Sequence, residues 1–159
     1  MTELLNLADT VAVVTGGAGL SGRELCAGRA EQGATVVIVD TDTAAGEACS
    51  DEIGERAHFR ATDVTSPTSV EELVSSTVDE FGSLDVLVNT AYPRNENYGQ
   101  PYEKMTVEDW RTNVDLHLTS YFYTSYCASL VMKNKDSGGS IINFGSTYGV
   151  QAPDFTTYD

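Results

Sequence analysis

Val11-Ala-Val-Val-Thr-Gly-Gly-Ala-Gly-Leu-Ser-Gly22 decides the fold of this chain. The apolar run Val11 to Val14 reads as a buried strand that ends at Thr15-Gly16, and a helix is expected from about Ser21 to Gln32, stopped by Gly33. A glycine cluster between a strand and a helix has a specific use. Glycine permits a tight turn and lets the backbone approach a pyrophosphate, while the helix N-terminus offers free N–H groups and a positive dipole end to the anion. An ordinary strand-to-helix turn is the plainer interpretation of the same residues. A P-loop is excluded, because no Gly-Lys-Ser/Thr follows.

The pattern continues outward from that turn. Thr35–Val39 is a second buried strand closed by Asp40, and Thr43 to Ile53 suits a helix followed by Gly54. His58 to Thr62 is a weaker third strand. Ser66 caps and Pro67 opens a helix that runs to about Phe81, where Gly82 ends it. Leu84–Val88 is the fourth strand, and Ser140–Phe144 the fifth. Between them Thr106 opens the longest helix, reaching about Lys133, with Glu108 and Asp109 in its dipole-favoured first turn. Strands alternating with helices predict an α/β, doubly wound parallel sheet in one domain over residues 1–159, with no linker or repeat. Asp40 stands 24 residues after Gly16, close to the spacing at which an acid meets the adenosine ribose. A carboxylate there accepts bonds from the ribose hydroxyls and repels a 2′-phosphate, which favours NAD over NADP. Arg23 is either a contact for such a phosphate or plain surface.

Composition narrows the partners. The chain has 159 residues with 9 Lys plus Arg against 24 Asp plus Glu, a formal net charge of −15. That balance argues against nucleic acid and anionic membranes, which need a basic patch. No apolar run is long enough to span a bilayer, and the start Met1-Thr-Glu-Leu-Leu lacks the features of a signal peptide, so a cytoplasmic location is expected. Only Lys104, Lys133 and Lys135 represent lysine, and an acid-rich, lysine-poor surface is also a habit of salt-adapted proteins. Cys26, Cys49 and Cys127 are odd in number and widely spaced, so reduced thiols are expected. His58 and His117 pair with no acids at metal-like spacing, and no metal is expected.

Five short motifs follow one another in order. They are Thr15-Gly16-x-x-Gly19-x-x-Gly22, Asp63-Val64, Asn89-Thr90-Ala91-Tyr92, Asn113-Val114 and Gly145-Ser146-Thr147-Tyr148-Gly149. Together they resemble the short-chain dehydrogenase/reductase family over nearly the whole chain. The glycine spacing is more typical of the family's extended branch, since the commoner form has Gly where Leu20 stands. The second and fourth positions of Asn89-Thr90-Ala91-Tyr92 also depart from the family's Asn-Asn-Ala-Gly. The resemblance implies a Rossmann fold and hydride transfer between NAD and a small alcohol or carbonyl substrate. It places Gly16, Gly19, Leu20, Gly22, Asp40, Asp63, Val64, Asn89 and Ala91 around the cofactor, and Ser146 and Asn113 at the chemistry. It also implies a homo-oligomer for the full-length enzyme. The residues themselves leave alternatives: Asp63 as a turn residue that caps loop N–H groups, Asn89 as a support between loops, Ser146 as a turn hydroxyl.

The family's proton donor is a Tyr-x-x-x-Lys soon after the serine. Tyr158 lies 12 residues beyond Ser146, but the sequence stops at Asp159 and the last lysine is Lys135. Tyr148 has no lysine at that spacing either. The expectation is an N-terminal part, cut after the fifth strand, without turnover of its own. Tyr121, Phe122, Tyr123 and Tyr126 are then expected to be covered on more than one side by elements beyond it. The loop Tyr92–Tyr102 resembles family members associated with bacterial surface-sugar and flagellin modification, which makes Arg94 either a candidate for an anionic or polyhydroxylated substrate, a sugar derivative among them, or a solvated loop arginine. The rival function is a catalytically silent NAD-binding module with a regulatory or scaffold role.

Overall fold

The computed structural model of the chain describes residues 6–151. The strands are β1 (Val11–Thr15), β2 (Thr35–Asp40), β3 (Ala57–Ala61), β4 (Val86–Asn89) and β5 (Ser140–Asn143), all parallel in the order β3-β2-β1-β4-β5. The expected doubly wound sheet is therefore present. The chain moves outward from β1 in one direction, then returns to the other side of β1, so the order reverses between β1 and β4. At such a reversal the loops beyond the two strands diverge and leave a crevice at their C-terminal ends.

Helices α1 (Leu20–Glu31) and α2 (Thr43–Ile53) cover one face. Their Cys26 and Cys49 pack with Val14, Val36, Ile38 and Val88. On the other face α3 (Pro67–Phe81) and α5 (Ser120–Met132) enclose Val11, Val13, Val37, Val39 and Leu87. Alternate residues of each strand serve opposite cores, which is why β1 and β2 read as unbroken apolar runs. Ser66 caps α3 with Pro67 in its first turn, and Gly82 at φ 80° ends it.

Some boundaries differ from the sequence expectation. Strand β3 begins and ends one residue early, and β4 starts at Val86 instead of Leu84. Just ahead of it Asp85 accepts from Val11 N at 2.9 Å and pairs with Lys135, so its carboxylate ties the entry of β1 to the turn before β5. The long helix is also not uniform. Thr106 caps α4 (Val107–Val114), a π-helical turn follows at Asp115–Thr119, and α5 completes the rod. The Asn113 side chain donates to Asp109 O at 2.9 Å, competing with the backbone for that carbonyl. Side chains that bond back one turn in this way bend helices, and the widened turn begins two residues later. The aromatics of α5 are covered on one side only: Tyr123 reaches Glu71 on α3, whereas Phe122 and Tyr126 stack on each other at 6.1 Å and remain exposed.

Two glycines of α1 separate packing from propensity. A Cβ on Gly22 would lie 2.1 Å from Gly16 O and 2.8 Å from Gly17 Cα, both rigid backbone, whereas one on Gly28 meets nothing within 4 Å. Gly22→Ala should cost at least about 2 kcal/mol by overpacking the turn. Gly28→Ala should instead stabilise by about 0.5–1 kcal/mol, because alanine loses less entropy in a helix. Urea denaturation of the two variants checks the opposite signs.

Candidate functional site

The glycine turn is built by close backbone approach. Gly16 has φ 67°, and a Cβ there would stand 2.7 Å from Ala91 Cα and N. Its glycine thus lets the loop after β4 settle on the loop after β1. Gly17 N donates to Val39 O at 3.0 Å and Gly19 N to Gly16 O at 3.1 Å, fixing the turn on β2. Gly19 is the N-cap of α1 and supplies no side-chain cap, whereas Asp42, Ser66 and Thr106 cap α2, α3 and α4 with side-chain oxygens. The start of α1 therefore keeps its N–H groups available to an anion. Leu20, at the position where the commoner family pattern has Gly, points outward with 94% of its surface exposed and obstructs nothing inside the turn. Asp40 closes β2 beside this turn. Its Oδ2 accepts from Ala18 N at 3.2 Å, and its Oδ1 from Thr41 N at 2.8 Å and Asp42 N at 3.2 Å.

Asn89 holds the crevice together. Thr15, Asn89 and Asn143 occupy one row across β1, β4 and β5. The Asn89 amide is fully buried and fully used. Its Oδ1 accepts from Thr15 Oγ1 at 3.2 Å and Thr124 Oγ1 at 3.0 Å, and its Nδ2 donates to Asn143 Oδ1 at 2.8 Å and Ser125 Oγ at 3.2 Å. Two lone pairs and two N–H groups are thereby satisfied. Of the alternatives left by the sequence, support between neighbouring elements describes this side chain.

A second centre lies at Asp109. The buried carboxylate accepts from Asn95 Nδ2 at 2.8 Å, Asn97 Nδ2 at 2.9 Å, Gln100 Nε2 at 3.3 Å and both N and Oγ1 of Thr106. Bonds from Thr106 and Asn97 hold its pKa far below the usual carboxylate range. A depressed carboxylate contributes its stabilisation in full above the ordinary range and loses it only as pH falls through the depressed value. The loop of residues 92–102 is thus tied down by one ionised group and its amides. Asn113 faces the same loop, accepting from Asn95 N at 3.0 Å and donating to Asn95 Oδ1 at 2.9 Å.

Beside this loop is a cleft of about 920 Å³ lined by Tyr92, Asn113, His117, Tyr121, Ser125 and Asn143 among others. Its aromatic wall is ordered: the His117 ring meets Tyr92 and Tyr121 edge-on, each at 4.6 Å between centroids. Burial lowers the His117 pKa, which keeps its imidazole neutral at pH 7. Burial and the hydroxyl of Tyr98 push the Tyr92 phenol up to about 12. The Arg94 guanidinium lies over Tyr98 at 5.5 Å and over Tyr92 at 5.9 Å.

The remaining expected residues fall at the same C-terminal sheet edge or just behind it. Asp63 Oδ1 accepts from Thr65 N at 2.9 Å and Thr65 Oγ1 at 2.7 Å, so it does serve as a turn residue, while Val64 is buried with the core. Ser146, after β5, accepts from Tyr148 N at 3.1 Å and caps a short 3-10 turn at Thr147–Gly149. Tyr158 lies outside the described residues. Arg23 pairs with Glu52 at 3.1 Å. Cys26, Cys49 and Cys127 are buried free thiols, and burial pushes the first up to about 12. Among the described residues no three His, Cys, Asp or Glu side chains converge as metal ligands, and no helix is long and apolar enough to cross a membrane. The Asp109 network was not foreseen as part of the site, although Thr106-x-x-Asp109 carries the signature of a capping box, which α4 forms.

Comparison with known proteins adds to this geometry. A family model described as short chain dehydrogenase matches residues 10–159. The 3-oxoacyl-(acyl-carrier-protein) reductase FabG of Vibrio cholerae is 35% identical over 145 residues, which cover 91% of this chain and 58% of that protein. An uncharacterized oxidoreductase of Thermotoga maritima is 36% identical over 157 residues, covering 96% of this chain and 59% of its own length. Among solved structures, a short-chain type dehydrogenase/reductase from Mycobacterium marinum matches with TM-score 0.87 and 27% identity, over 95% of this chain and 61% of that one. An NAD+-bound xylitol dehydrogenase matches with TM-score 0.83 and 28% identity, over 92% of this chain and 56% of that one. The chain spans about three fifths of the length of these two curated relatives.

Removal of the Asn89 amide tests its part in this assembly. Asn89→Leu keeps the volume roughly constant but leaves the buried Thr15 hydroxyl without its acceptor, whereas Thr124 keeps Ser120 O at 2.8 Å and the exposed Asn143 can turn to water. It should cost about 1–3 kcal/mol in urea denaturation, since the orphaned Thr15 hydroxyl carries a desolvation penalty.

Proposed function

This chain belongs to the short-chain dehydrogenase/reductase family, and on that premise we propose that it forms the dinucleotide-binding domain of an NAD-dependent oxidoreductase acting on a small alcohol or carbonyl compound. Asp40 carries the cofactor assignment. Its carboxylate stands beside the glycine turn with Ala18 N on one oxygen, at the end of the strand where an adenosine ribose is received. Ribose hydroxyls donate to such a carboxylate, whereas a 2′-phosphate would bring like charge against it. Arg23, the nearby cation, is engaged by Glu52. The NAD+-bound xylitol dehydrogenase among the similar structures supports the same cofactor.

The residues present fit the cofactor. Gly16 and Gly22 allow a turn that a Cβ at either would disrupt, and Gly19 leaves the start of α1 open for a pyrophosphate. Leu20, Asp63, Val64, Asn89 and Ala91 complete the surroundings, the last two by shaping the crevice. Bound there, the nicotinamide would supply the carbon that gives or takes hydride. Ser146 accepts from Tyr148 N, so its hydroxyl proton can be donated to a substrate oxygen. Asn113 lines the cleft, whose rim reaches Gly145 next to Ser146, among aromatic and amide groups. The suggestion of polyhydroxylated substrates, sugar derivatives among them, rests on the loop that carries Arg94 and not on the cleft, whose lining is mostly apolar and aromatic. The exposed apolar residues Trp110, Leu118 and Phe122 along the α4–α5 rod support self-association of the full-length enzyme, with cytoplasmic residence the accompanying proposal.

Calorimetric titration of the full-length protein with both cofactors tests the assignment. NAD+ should bind at least about tenfold more tightly than NADP+, and Asp40→Ala should narrow the gap to roughly threefold or less. Equal affinities in the unmodified protein would contradict the role of Asp40. Tight binding without turnover of any polyol, secondary alcohol or 3-oxoacyl thioester would favour a silent nucleotide-binding module.

A further inference from the structure

Three of the four hydrogen-bonding positions of the Asn113 side chain are engaged, both Nδ2 hydrogens and one Oδ1 lone pair, and the partners form a directed chain. Asp109, held ionised by its bonds, can only accept. The atom of Asn95 that faces it at 2.8 Å must therefore be the nitrogen, Nδ2. Asn95 then turns its oxygen toward Asn113, which answers with Nδ2 at 2.9 Å and presents its own Oδ1 to Asn95 N at 3.0 Å. The second hydrogen of Asn113 Nδ2 goes to Asp109 O at 2.9 Å. Reversing the Asn113 amide would place oxygen against oxygen at two contacts, Asn95 Oδ1 and Asp109 O, and N–H against N–H at the third, Asn95 N.

We propose that Asn95 is a positioning residue that fixes the orientation of the Asn113 side chain, with the Asp109 carboxylate fixing Asn95 in turn. Its functional meaning rests on the proposed place of Asn113 in the active site. The loop of residues 92–102 then has two defined roles. It carries Tyr92 and Tyr98 into the cleft wall, and it orients Asn113 through the same amides. Neither role falls to apolar packing, because Asn97, Tyr98 and Gly99 are exposed. The π-helical turn at Asp115–Thr119 follows directly and brings His117 against Tyr92, so helix and loop meet twice.

Side-chain amide exchange, followed by NMR on the full-length protein, reads this arrangement without a substrate. In the unmodified protein the Asn113 Nδ2 hydrogens should exchange slowly. In Asn95→Ser they should exchange roughly tenfold faster, while the strand amides and the affinity for NAD+ stay unchanged. Asn95→Ala serves the same purpose should the serine variant not fold. Asn97→Ala removes another amide from Asp109 but spares the Asn95–Asn113 pair, and should leave the Asn113 signal slow. Unchanged exchange at Asn113 in a folded Asn95 variant would overturn the proposal, as would an equal effect of Asn97→Ala, which would mean general loosening of the loop. A protein that failed to bind NAD+ yet kept this pattern would refute the proposed function alone.

Discussion

One buried amide organises the functional end of this molecule. Asn89 sits at the C-terminal end of β4 with no exposed surface, and its four hydrogen bonds reach β1, β5 and α5. A polar group so placed is costly unless every position is satisfied, and here every position is. The strand row Thr15–Asn89–Asn143 is thereby locked at the level where β1 and β4 separate. Immediately beyond it Thr90 N donates to Thr15 O at 3.1 Å, and Ala91 lies against Gly16. The crevice exists because these two loops are held in contact at its base.

From that base the two walls are made by different means. The wall beside α1 is made of backbone: glycines, N–H groups and one carboxylate, Asp40, that accepts from the turn itself. Such a surface suits a ligand whose phosphates are the same in every case. The wall beside α4 is made of side chains, with Asp109 gathering amides from Asn95, Asn97 and Gln100 and the aromatic rings of Tyr92, His117 and Tyr121 standing edge to face. Side chains differ from protein to protein where backbone cannot, so under the proposed function this is the wall that would set selectivity.

The strands were legible because parallel strands buried on both faces have little choice of residue; Val11–Val14 and Thr35–Val39 show it plainly. Helix ends were legible wherever a cap was written in the sequence, as at Ser66-Pro67 and Gly82. The π-helical turn was not, since no periodicity records the side chains of Asn113 and Ser120 that bond back one turn on either side of it. The same limit applied to Asp109, which the sequence marks as a first-turn acid but not as the anchor of a loop. Motif positions identified Asn89 and Gly16 as special. Only their tertiary neighbours, Asn143 and Ala91, explain what each does. Phe122 and Tyr126, whose second-side cover the sequence reading assigned to elements beyond these residues, are exposed among the described residues.

A crystal structure of the protein with NAD+ is the most direct test. The pyrophosphate should lie against the backbone N–H groups at the start of α1, the adenosine ribose hydroxyls on the Asp40 carboxylate, and the nicotinamide end toward Ser146 and Asn113. A nucleotide seated away from the Gly16–Gly22 turn, or a ribose held by groups other than Asp40, would contradict the proposed function.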